Sequence, residues 1–232
     1  MSFISFVLLN SLTYTGLLAG QVPIPDHTPM SLSQIEKLGK KVKSNVVYIT
    51  AKDETAKDSL ISDQLRDGFG VVVNDNTVAI MALLVQNTHQ IEIHGPSGLK
   101  AKGRVTRVDA KSRIALIRSE KSLKGIGLEA PDWRLTEKLT VGLPAFALAS
   151  TIGQPELREF FVTHTGTEIG FEGTPRLNHP LLHGMPVFDS QARCLGFARA
   201  GLWDVDKGLL IPAKTIQDVS ESESLNRQSP KR

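Results

Sequence analysis

The chain has 232 residues, enough for one large all-β domain or two small lobes sharing an interface. A hydrophobic content of 41% and a charged content of 22% are those of an ordinary globular protein. The net charge of +3 is mild, no aromatic interleaving accompanies the basic residues, and nucleic acid is not expected as a partner. The single cysteine, Cys194, excludes an internal disulfide framework.

No charged side chain precedes Asp26. "FISFVLL" followed by "TGLLAGQ" has the form of an apolar export core with small residues suited to cleavage near Ala19 and Gly20. Residues 1–20 therefore read as a signal segment, with export to a periplasmic or extracellular location as the expectation. A buried amphipathic strand is the competing reading, since no Lys or Arg precedes the run and Asn10, Ser11 and Thr13 interrupt it. The stretch is too short and polar to imply a stable membrane span.

Residues 21–32, "QVPIPDHTPMSL", hold three prolines and read as a linker. "SQIEKLGKKVKS" opens on Ser33 and Glu36 at capping-box spacing, which predicts one short helix. Its lysines, like the later run Lys100, Lys102, Arg104 and Arg107, read as a solvated face. The pattern then changes to short β-branched runs split by Gly, Pro, Asn and Asp. These are "NVVYITA", "GFGVVVN", "TVAIMALLV", "HQIEIHG", "KAKGRVTRVD", "SRIALIRS", "PAFALAS", "FFVTHTGTEIG", "GMPVFD", "CLGFARAG" and "GLLIPA". Such spacing predicts an all-β fold, with connections too short for helical crossovers. A break near "LEAPDWRLTEK" divides the runs into two groups of about six, suited to two barrels in tandem. One domain over residues 33–219 is expected, with the first barrel at about 44–128 and the second at about 135–219. The polar residues 220–232 read as a disordered tail.

From about Ser44 to Val219 these runs, in their order and spacing, resemble the trypsin-like peptidase domain of the bacterial HtrA (Deg) type. "SNVVYITA" resembles the family's opening strand, and "GFGVVVND" its Gly-Ser-Gly-hydrophobic strand. "GRVTRVDAKSRIALIRS" resembles a strand, an Asp-containing turn and an Asp-Leu-Ala-Val-Leu strand. "LTVGLPAFALAS" and "VTHTGTEIG" resemble the entry to the second barrel and a following strand, and "GLLIPAKTIQDV" the closing strand and helix. The resemblance implies two six-stranded antiparallel β-barrels with short N- and C-terminal helices and an inter-barrel cleft. No PDZ module is expected after the closing helix.

That family's mechanism needs a serine nucleophile, a histidine base and an aspartate that orients the histidine. Carried over by position, the histidine of Thr-Asn-x-His-Val-Val falls on Leu83, or on Leu84 if the register shifts by one. The aspartate falls on Arg113, and the serine of Pro-Gly-Asn-Ser-Gly-Gly-Pro falls on His183, within "NHPLLHGMPVFD". Leucine accepts no proton, and a permanently charged arginine repels an imidazolium. In the oxyanion-hole turn, Leu181 replaces a glycine, Gly184 remains, and Met185 replaces the second glycine. Loss of one triad member costs on the order of a million-fold in rate. The resemblance therefore implies a degenerate triad and no catalysis: a pseudoprotease retained as a scaffold, with a protein or peptide as its partner and no cofactor. Leu83 is expected to pack at the barrel seam.

Two other readings remain open. One is a serine-type endopeptidase or hydrolase with a non-standard site, for which Cys194 with His183 is the weakest candidate. The other is a histidine-based metal site using His164, His179 and His183, whose rings would have to converge. His27, His89 and His94 fall in the linker or at turns.

Overall fold

The structure, a computed structural model, describes residues 30–53, 65–135, 139–151, 154–164, 169–173, 184–200 and 208–228. Helix α1 (Leu32–Val42) starts two residues before the expected box. Ser31 is its N-cap, accepting from the Gln34 N–H, while the Gln34 side chain accepts from the Ser31 N–H at 2.8 Å. Gln34 performs the reciprocal role assigned to Glu36; Leu38 and Val42, four apart, form the buried face of the helix.

Six strands follow: β1 (Val46–Asp53), β2 (Leu65–Asn74), β3 (Thr77–Met81), β4 (Thr88–His94), β5 (Lys100–Asp109) and β6 (Ile114–Ser119). They close into a barrel in the order β1-β2-β3-β6-β5-β4, every pairing antiparallel. Alternate residues, among them Val47, Ile49, Val78, Ile80, Ala115 and Ile117, fill its interior. The intervening residues of β2, β3 and β6 are also buried, on the outer wall: Phe69, Val71, Ala79, Met81, Ile114 and Leu116. Covering on both faces explains why "TVAIM" and "IALI" are continuous apolar runs without alternation. The apolar run "TVAIMALLV" is longer than β3 because its second half turns into a 3-10 helix, Ala82–Val85.

The outer wall is covered by a second, seven-stranded sheet. Its strands are β7 (Asp132–Trp133), β8 (Pro144–Thr151), β9 (Gln154–His164), β10 (Ile169–Gly173), β11 (Pro186–Asp189), β12 (Arg193–Ala200) and β13 (Gly208–Pro212). Their order is β11-β8-β9-β10-β13-β12-β7, with an additional pairing of β11 with β12. The expectation of two purely antiparallel six-stranded barrels is met for the first half, where one closed barrel forms. In the second half the stretch expected to divide the lobes supplies β7, which pairs with β12 in parallel. Trp133 packs on the shared core, so that stretch is held there by apolar contact.

Phe146, Val187, Phe188 and Phe197 of this sheet join the barrel's outer residues in one cluster. Burying a side chain such as Phe188 fully contributes about 1.5–3 kcal/mol. Helix α2 (Ala213–Gln228) closes the cluster with Ile216 and Val219. It continues through residues 220–228, expected as disordered tail. Once a packed first turn is nucleated, propagation through polar residues is inexpensive, and Lys214 and Asp218 add an i,i+4 ion pair at 2.6 Å.

Candidate functional site

Three segments meet where the barrel touches the second sheet. The first is the 3-10 turn after β3, which carries Leu83. The second is the β5–β6 turn, where Asp109 Oδ2 accepts from the Ser112 backbone N–H at 2.8 Å and from Ser112 Oγ at 2.6 Å. These bonds hold the Asp109 carboxyl below its ordinary range, assisted by the charges of Arg107 and Lys111. They also set up Arg113 at φ 60, from which its carbonyl accepts the Ala82 N–H at 2.8 Å. Leu83 and Arg113 thus stand on adjoining turns.

The third segment enters at Gly184, φ 84. A Cβ there would lie 2.8 Å from Met81 Cγ, so both the backbone angle and the close approach to β3 require glycine. The Gly184 N–H donates to the Ala198 carbonyl at 2.7 Å, and Met185, fully buried, accepts from the Ala198 N–H at 2.8 Å. Met81 to Leu83, Arg113 and Gly184 are therefore brought together. Leu181, His179 and His183 lie outside the described residues.

The side chains at this junction correct one expectation. Leu83 is 61% exposed and buries little; its neighbour Leu84 packs against both the barrel interior and the shared cluster. Arg66 Nη1 donates to the carbonyls of Leu83 and Gln86, at 3.2 and 3.1 Å, and holds the turn with Leu83 outward. Arg113 is also exposed. An exposed leucine and an exposed guanidinium supply neither a proton acceptor nor a carboxylate for an imidazole.

Among the described residues no group of three His, Cys, Asp or Glu side chains is placed to hold a metal ion. Of His164 only the backbone is described, on β9 opposite Gly170. Cys194 is fully buried on β12, and desolvation pushes its thiol up to about 12, so it is held as an unreactive thiol.

Two polar networks had no clear signal in the sequence. Asp189, the last residue of β11, is a buried carboxylate that organises the β11–β12 turn. Its Oδ1 accepts from the backbone N–H groups of Gln191 and Arg193, each at 2.9 Å. Its Oδ2 meets Arg193 Nε at 2.8 Å and Arg134 Nη1 at 3.4 Å. Lys41 of α1 donates to the Gln191 carbonyl at 3.1 Å and ties the helix to the same turn. The strand that leaves Gly184 is anchored by this set.

The second network lies on the barrel's outer wall. His94 Nε2 is 2.9 Å from Thr50 Oγ1 and 3.7 Å from Glu92 Oε2, and its ring stands edge-on to Tyr48 at 5.2 Å between centroids. Burial and the Lys100 charge lower its pKa, against Glu92. Tyr48 donates to Asp67 Oδ2 at 2.8 Å, and burial with this bond pushes its phenol up to about 12. Hydroxyl and carboxylate both approach one nitrogen, Nε2, whereas a proton relay needs the acid at the other. This is a structural network, and His94, read as a turn residue, is its hub.

The chain matches no protein-family model, and no curated protein matches it in sequence.

Proposed function

We propose that this chain is a catalytically inactive, trypsin-like (HtrA-type) pseudoprotease, exported and serving as a protein- or peptide-binding scaffold. One observation supports the reading: the 3-10 turn with Leu83, the β5–β6 turn with Arg113 and Gly184, the first described residue after the expected nucleophile position, adjoin one another, with Leu83 and Arg113 exposed. The additional β11–β12 pairing, which links the two flanks of the second sheet, supports a second barrel and hence the double-barrel form. The junction retains what shapes the fold, Gly184 and the strand after it, and replaces what performs chemistry.

Incubating the purified chain with a fluorophosphonate probe and with casein tests this reading. No labelling and no cleavage are the expected results. Labelling at any residue, or casein cleavage abolished by the same probe, overturns it in favour of a non-standard hydrolase.

A further inference from the structure

We propose that the outer face of β5 and β6 is a binding site for a phosphate-type oxyanion, formed by Arg104, Arg107 and Arg118. Strand register brings the three together. Arg104 stands directly opposite Arg118, and after a bulge at Thr106, Arg107 stands opposite Leu116. Cross-strand partners share a face, and so do residues two apart on one strand. Leu116 belongs to the outer-wall cluster, so all three arginines share that outer side of the barrel.

The charge gathered there is unbalanced. Like charges directly opposite one another destabilise a sheet. None of the three arginines forms an ion pair with a described residue, although neighbouring lysines do. Lys100 is 3.1 Å from Glu92, and Lys124 is 3.2 Å from Asp75. Lys102 stands opposite Glu92, and its carbonyl accepts the Glu120 N–H. Asp109 senses the charge of Arg107 but commits its Oδ2 to Ser112.

A separate observation points to a missing acceptor. Arg107 Nε is buried and has no hydrogen-bond partner, and buried N–H groups are almost always satisfied. An oxyanion between the three guanidinium groups would accept that N–H and remove the Arg104–Arg118 repulsion. Guanidinium forks match a phosphate's geometry, and three positive charges favour a dianion with several acceptor oxygens over a monovalent carboxylate. The site uses β5 and β6 alone, so it stands independently of the pseudoprotease reading.

The test titrates the full chain with inorganic phosphate at constant ionic strength, balanced with sodium chloride, reading affinity by calorimetry and Tm by thermal scanning. Saturable one-site binding with a rising Tm is expected. Arg107→Lys and Arg118→Gln each weaken it by about tenfold or more, the loss of one charge-assisted bond. Arg104→Gln, at an exposed position, is expected to lose the phosphate response yet raise the Tm in phosphate-free buffer. A variant that merely damages the fold lowers that Tm. The proposal is overturned if phosphate acts no more strongly than chloride, if acetate binds equally well, or if Arg104→Gln and Arg118→Gln bind like the wild type. An oligothymidylate arm separates a single phosphoryl group from a polyanion track: binding over tenfold tighter than phosphate, with a steep salt slope, overturns the compact site.

Discussion

Replacing Asp189 by alanine probes how the strand leaving Gly184 is held. The substitution removes a carboxylate only 2% exposed and with it four contacts: two backbone N–H groups, Arg193 Nε and Arg134 Nη1. Arg134 is 11% exposed and loses its contact with a buried carboxylate; Arg193, at 29%, can turn towards water. Breaking a buried pair from one side costs about 3–5 kcal/mol, and the cavity left by the carboxylate adds to it. A loss near 4 kcal/mol with a urea m-value near 2 kcal/mol/M lowers the unfolding midpoint by about 2 M. Asp189→Asn keeps an acceptor for the two backbone N–H groups and loses the ion pairs, so about half that loss is expected. Urea unfolding followed by tryptophan fluorescence measures both. A loss below about 1 kcal/mol for Asp189→Ala would show that the turn is held by the strands alone, refuting the anchoring argument.

Three further outcomes follow from the same geometry. Gly196→Ala places a Cβ 1.9 Å from the Ile211 carbonyl oxygen at φ 141, so a loss of about 3 kcal/mol or more in stability, or no soluble protein, is expected; expression and thermal scanning check it. Leu83→Ala is expected to change stability by less than about 0.5 kcal/mol and Leu84→Ala to cost about 1–2 kcal/mol, and the reverse order in urea unfolding would mean the 3-10 turn is misplaced. Cys194 has a thiol raised from 9.0 to about 12, so the folded chain keeps it neutral where the unfolded chain ionises. This stabilisation is fully present below pH 9 and is lost as pH rises towards 12. Iodoacetamide at pH 8 should therefore leave the native chain unmodified and alkylate it completely in urea. Rapid native alkylation would place the thiol at the surface.

The β-rich character, the succession of barrel strands along the chain and the N-terminal helix are legible in the sequence, because apolar periodicity and turn residues act over a few neighbours. "NVVYITA" alternates because β1 has an interior side, and Gly and Asn mark the ends of its neighbours. That Leu83 and Arg113 stand on adjoining turns is to be expected only from resemblance to a known loop order. The cap of α1 stands at Ser31, with Gln34 closing the box, where the sequence points to Ser33 and Glu36. The helix through residues 220–228 was hidden by polar composition.

Other properties belong to the tertiary structure alone. Barrel closure joins β1 to β4 over some forty residues, and no local pattern encodes that pairing. Which of Leu83 and Leu84 faces the core depends on how Arg66 grips the 3-10 turn from another strand. Asp189 reads in the sequence as a turn acid; burial between two arginines, one of them 55 residues away, makes it an anchor. Arg104, Arg107 and Arg118 read as scattered surface charge until register and a single bulge turn them to one face. Local spacing determined which elements form, whereas long-range pairing and desolvation decided which side chains meet and at what electrostatic cost.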